Sequence, residues 1–91
     1  MLAMSNTSIQ NKSRSIDEML VSVSSRKNFV ERTELEGMID ELVASVSEEQ
    51  QQNLREAGYD LLAGAADAAD LVVGVSRAVD VLLDLRNSGL I

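Results

Sequence analysis

Apolar side chains recur at steps of three and four through most of the chain after residue 14, which is the spacing of one helix face. The pattern is clearest near the middle, where acidic side chains occupy the opposite face. The apolar positions there are Leu35, Met38, Ile39, Leu42, Val43 and Val46. An earlier stretch from about Ile16 to Ser25 has the same period, although its Val21-Ser22-Val23-Ser24 alternation also fits a short strand.

Helix starts are indicated by a repeated capping motif, S/T-x-x-E/Q. In this motif a hydroxyl accepts from a helical N–H group, and the later side chain reaches back to the capping residue. Each copy precedes an apolar pattern of helical period, so three helices are predicted. The copies are Ser15-x-x-Glu18, Thr33-x-x-Glu36 and Ser47-x-x-Gln50.

The last third of the chain, residues 54–90, looks like one long helix. It contains no proline, and Asn87-Ser88-Gly89 is its first strong stop signal. About 40 residues rising about 1.5 Å each would form a rod of roughly 60 Å. We therefore predict an elongated molecule, with a break at Gly58, Gly64 or Gly74 as the alternative.

This long helix has a wide apolar face that follows a coiled-coil repeat, and small residues crowd its middle. Two shorter helices would leave part of it uncovered, and large exposed apolar strips are typical of interaction sites. Self-association as a dimer is the favoured solution, and docking of another helical protein is the alternative. The predicted partner-binding residues are Leu71, Val72, Val75, Val79, Leu82, Leu83 and Arg86.

The predicted fold is all-α: an elongated helical hairpin or three-helix unit with a long C-terminal helix, assembling into a helical bundle. Residues 1–14 are rich in Ser, Asn and Gln and are predicted to be a disordered tail. Residues 15–91 are predicted to form a single helical domain. Among the few aromatic residues, Phe29 is expected to plug the loop end of the core and Tyr59 to pack at its rim.

The composition excludes most classes of catalytic site. The chain has no His and no Cys, which excludes histidine-based and thiol-based catalysis and the usual zinc sites. Asp67 and Asp70 lie three apart, but a solvated helix stripe explains them better than a metal site does. No catalytic, cofactor-binding or metal-binding residues are predicted, and no cofactor is expected.

The net charge of −7 disfavours nucleic acid and anionic membranes as partners. A membrane span over residues 61–83 is disfavoured because it would contain four charged side chains. We expect a cytoplasmic, non-enzymatic module for protein–protein interaction or assembly. A component, secreted substrate or chaperone of a bacterial export apparatus, and an acidic mimic of nucleic acid, remain the rival hypotheses.

Overall fold

The computed structural model describes residues 15–67 and 69–91, so the predicted tail, residues 1–14, lies outside the described residues. Four helices and one pair of short strands form two helix–strand–helix units, joined by residues 45–47. The first unit consists of α1 (Ile16–Ser24), β1 (Phe29–Glu31) and α2 (Arg32–Ala44). The second consists of α3 (Glu48–Ala65), β2 (Val72–Gly74) and α4 (Val75–Asn87).

The first predicted capping box is present at α1. Ser15 Oγ accepts from the backbone N–H of Glu18 at 3.1 Å, and Glu18 Oε1 accepts from the backbone N–H of Ser15 at 2.9 Å. Ser47 also precedes its helix but makes no side-chain capping bond. Thr33 lies inside α2, whose N-cap is Glu31. The predicted box at Ser15 is therefore complete. The motif at Ser47 marks only the start of a helix, and the predicted box at Thr33 is wrong.

The strands form a two-stranded antiparallel ribbon, hereafter the ribbon, which joins the two units. Phe29 lies opposite Gly74, Val30 opposite Val73, and Glu31 opposite Val72. Val30 and Val73 are fully buried, so the ribbon contributes its central pair to the core. The prediction of a mainly helical chain is confirmed, and the ribbon is an element that the all-α description did not include.

The core is aliphatic and drawn from every element. Helix α1 packs against α4 and α2 against α3, while α3 also contacts α4. The helical period predicted for α2 is confirmed, because its apolar stripe is buried. The core residues are Ile16, Met19, Val23, Val30, Leu35, Met38, Ile39, Leu42, Val43, Leu54, Leu62, Val73, Ala78, Val81, Leu82 and Leu85.

The single long C-terminal helix is wrong. Helix α3 ends at Ala65, and helical structure resumes only at Val75. Two aspartates make a local turn at the break: the backbone N–H of Asp67 donates to Asp70 Oδ2 at 3.1 Å, and that of Asp70 donates to the Asp67 carbonyl at 2.9 Å. Short acidic side chains compete for backbone groups in this way. The β-branched pair Val72-Val73 then extends along β1.

Consequently, the predicted excess of apolar surface is mostly absent. Two helices that contact each other replace the rod, and the described residues fit within 46 × 33 × 22 Å. Leu82 and Leu85, which lie in the stretch expected to be partly uncovered, are buried within one protomer. The prediction of an elongated rod of roughly 60 Å is therefore corrected to a two-unit helical arrangement.

Close helix packing occurs at Gly58, outside the group of small residues in the middle of the predicted long helix. A Cβ atom added at Gly58 would lie 2.7 Å from Cγ2 of Ile39, across the contact between α2 and α3. Gly64, in the same helix, has no atom within 4 Å of the equivalent position. Only the first glycine is therefore required by packing.

We predict that Gly58→Ala destabilises the protein. Forcing a methyl group against Ile39 costs about 1–3 kcal/mol, of which the better helix propensity of Ala recovers about 0.5–1 kcal/mol. Gly64→Ala should instead stabilise by about 0.5–1 kcal/mol, because the propensity gain is unopposed. Urea unfolding of both variants measures the difference, and equal effects at the two glycines would contradict the packing assignment.

Candidate functional site

The ribbon presents a face to solvent that is unusually apolar. Because side chains alternate along a strand, burial of Val30 and Val73 turns Phe29, Glu31, Val72 and Gly74 outward. Phe29 is 52% exposed and Val72 is 41% exposed, while Leu71, directly before β2, is 82% exposed. We call the set Phe29, Leu71 and Val72 the ribbon patch.

The ribbon patch is distinctive among the exposed apolar groups. Only two other large hydrophobic side chains of the described residues are exposed, Val21 on α1 and Ile91 at the end of the chain. Within the ribbon, Phe29 and Val72 are diagonal neighbours on the same face, a separation that an aromatic side chain can bridge. The exposed apolar side chains at the ribbon make this surface the candidate site of the described residues.

The seven partner-binding residues predicted from the sequence are divided by the fold. Leu71 and Val72 are exposed in the ribbon patch. Val75, Val79 and Leu83 are half-buried along α4, and Leu82 is fully buried, which corrects its assignment as a contact residue. Arg86 is exposed and pairs with Asp17 on α1, with Nε to Oδ1 at 3.6 Å.

Phe29 was missed as a surface residue. The sequence suggested a core plug, because large aromatic side chains are usually buried. Its neighbour Val30 takes that inward position instead, and the strand period then directs Phe29 outward. The alternation of buried and exposed residues was readable only once the short strand was recognised.

Arg32 anchors the segment that carries Leu71. Its backbone N–H donates to the Leu71 carbonyl at 2.9 Å, and its Nη1 donates to the carbonyls of Ala66 and Asp67 at 3.2 and 3.0 Å. The side chain is only 16% exposed and also pairs with Glu36 at 3.4 Å. A cation thus satisfies carbonyl groups at the end of α3, where the helix dipole favours positive charge.

The two loops that enter the ribbon differ in charge. Loop 25–28 contains two basic residues. Arg26 forms a bidentate salt bridge with Glu34, and Lys27 is exposed. The loop before β2 contains Asp67 and Asp70, both exposed. Antiparallel pairing places these loops at opposite ends of the ribbon, so the ribbon patch lies between a cationic and an anionic end.

Tyr59 packs at the rim between α2 and α3, as predicted. Its hydroxyl donates to Asp40 Oδ1 at 2.9 Å, and the side chain is half-buried. Burial, followed by the hydrogen bond and charge of Asp40, raises the pKa of Tyr59 above its usual 10.0. A phenol held in its protonated form here serves as a hydrogen-bond donor.

Across residues 15–67 and 69–91, no group of three or more acidic side chains is placed to hold a metal ion. Within those ranges no helix combines the length and apolarity needed to cross a bilayer. Asp67 and Asp70 bond to each other's backbone in the turn described above.

Replacing Arg32 with Gln should loosen the loop before β2. The variant loses charged hydrogen bonds to two carbonyls, each worth about 1.5–3 kcal/mol, although water recovers part of this. We expect lower stability in urea and faster amide exchange at Leu71 and its neighbours. Arg55→Gln, which changes the charge equally at an exposed position of α3, is the control and should leave both unchanged.

The pKa of Tyr59 predicts an alkaline loss of stability. The folded state holds the phenolic proton more tightly than the unfolded state, so this contribution is complete below pH 10 and disappears as the pH rises through the folded pKa. Tyr59 is the only tyrosine, so ultraviolet titration reports it directly. The stability difference between the native chain and Tyr59→Phe should shrink above pH 10, and a constant difference would contradict this.

Comparison with known proteins provides no relative. No family model matches the chain, and no curated protein or solved structure shows significant similarity to it. Its function is therefore inferred from its own surfaces.

Proposed function

We propose that the protein is a non-enzymatic association module that pairs with a second copy through the ribbon patch. The observation that carries this proposal is the exposure of Phe29 and Val72 on the same face of the ribbon, with the exposed Leu71 directly before Val72 in the chain. The proposed contact surface is therefore the ribbon, in place of the C-terminal helix predicted from the sequence. Leu71 and Val72 remain from the predicted set, and Phe29 joins them.

A second copy suits this surface because the ribbon is self-complementary in charge. Suppose that two ribbons face each other about a twofold axis lying across the strands. Each copy then places its Lys27 end over the Asp67 and Asp70 end of the other. A twofold axis along the strands would instead bring like charges together, so electrostatics selects the first arrangement.

The size of the patch supports reversible pairing. An interface centred on three apolar side chains belongs to the small class, below about 1,200 Å² of total buried surface. The overall charge of −7 also opposes association at low ionic strength. We therefore expect a concentration-dependent equilibrium between monomer and dimer, with tighter pairing when moderate salt screens the net repulsion.

We predict that Phe29→Ser combined with Leu71→Ser abolishes dimer formation in sedimentation velocity measured over a range of concentrations. Both side chains are largely exposed, so the fold should be retained. Val21→Ser, which removes an apolar side chain that is 69% exposed on α1, is the matched control and should dimerise normally. A native chain that remains monomeric throughout would refute the proposal.

The charge arrangement is tested by exchange of one pair. Lys27→Asp and Asp67→Lys, made singly, place like charges opposite each other and should each weaken the dimer. The double variant restores opposite charges and should recover most of the lost affinity. If the double variant does not recover affinity, the proposed twofold axis is excluded. The apolar contact is tested separately by the serine variants.

A further inference from the structure

A second surface lies between α3 and α4, in a cleft of about 300 Å³. Its apolar lining includes Leu61, which is half-buried, and Val81, which is 2% exposed. None of the lining residues belongs to the ribbon. The cleft is therefore separate from the surface on which the proposed function rests.

The cleft is acidic. Asp60 contributes from α3, and Asp80 and Asp84 contribute from α4, where a spacing of four puts them on one helix face. Arg77 also lines the cleft. Its one positive charge against the three carboxylates leaves an excess of two negative charges. Among residues 15–67 and 69–91, none of these four side chains forms an ion pair within 4.0 Å.

Gly64 leaves space at this cleft. A Cβ atom at that position, the penultimate residue of α3, would meet no atom within 4 Å. The absence of a side chain deepens the groove between the two helices. Room for an incoming side chain thus adjoins both the apolar lining and the carboxylates.

We propose that this cleft binds a basic amphipathic helix of a partner protein. A Lys or Arg side chain of the partner would lie among Asp60, Asp80 and Asp84, and an adjacent apolar side chain would contact the half-buried Leu61. Helix-in-groove recognition uses this combination of apolar anchors and complementary charge. Repulsion from the same carboxylates should disfavour an acidic partner.

The test uses the full chain and a labelled synthetic amphipathic peptide with leucine on one face and lysine on the other, followed by fluorescence anisotropy. A peptide with glutamate in place of lysine is the ligand control. The lysine peptide should bind and the glutamate peptide should not. Absence of lysine-peptide binding would overturn the proposal.

Two double variants with the same change in net charge test where the peptide binds. Asp80→Asn with Asp84→Asn should weaken peptide binding by about tenfold, which corresponds to 1.4 kcal/mol. Glu48→Gln with Glu49→Gln, at the exposed start of α3, should change it by less than about twofold. Equal weakening by both variants would mean general attraction to an acidic protein and would overturn the site.

Shape provides an independent test. Gly64→Leu fills the cleft and should also weaken binding by about tenfold. Gly37→Leu, at the other helical glycine with open space around it, is the matched control and should bind like the native chain. The serine variant of the ribbon patch should retain peptide binding, so failure of the dimer and failure of the cleft are distinguished. Normal binding by Gly64→Leu would exclude the cleft.

Discussion

The backbone pairing of β1 with β2 is the constraint on which the structure depends. Neither helix–strand–helix unit closes a core alone, since α1 packs on α4 and α2 packs on α3. The pairing of Val30 with Val73 holds the units in the register that permits both contacts. The same pairing creates the exposed patch, because a strand that directs its central side chain inward must direct its neighbours outward.

Local patterns were sufficient for the elements that depend on local forces. The buried stripe of α2 follows the helical period directly, and the capping box at Ser15 is a contact between residues three apart. The mainly helical character of the chain follows from the same periodicity and from the lack of proline. These features require no knowledge of where the rest of the chain lies.

The sequence offered the interruption between α3 and α4 only as an alternative, a break at Gly58, Gly64 or Gly74, and it did not predict the strand. Ala-rich sequence and a continuing helical period favour helix across it, and the heptad pattern appeared unbroken. A three-residue strand is stable only against a partner, and β1 lies far away along the chain. The run Leu71-Val72-Val73 was the available signal, together with Phe29-Val30, but each is too short to identify alone. Phe29 was misassigned for the same reason, whereas Leu71 and Val72 were expected to be exposed, but on a helical face that the structure does not contain.

The contact between α1 and α4 joins the first and last helices of the described chain, and it affects how the protein is made. During synthesis, the apolar side of α1 has no lasting cover until the helix ending at Asn87 has left the ribosome. Contacts between such distant segments also slow the final collapse, since a large loop must close before they form. The core of these four helices is therefore completed only when α4 becomes available to α1.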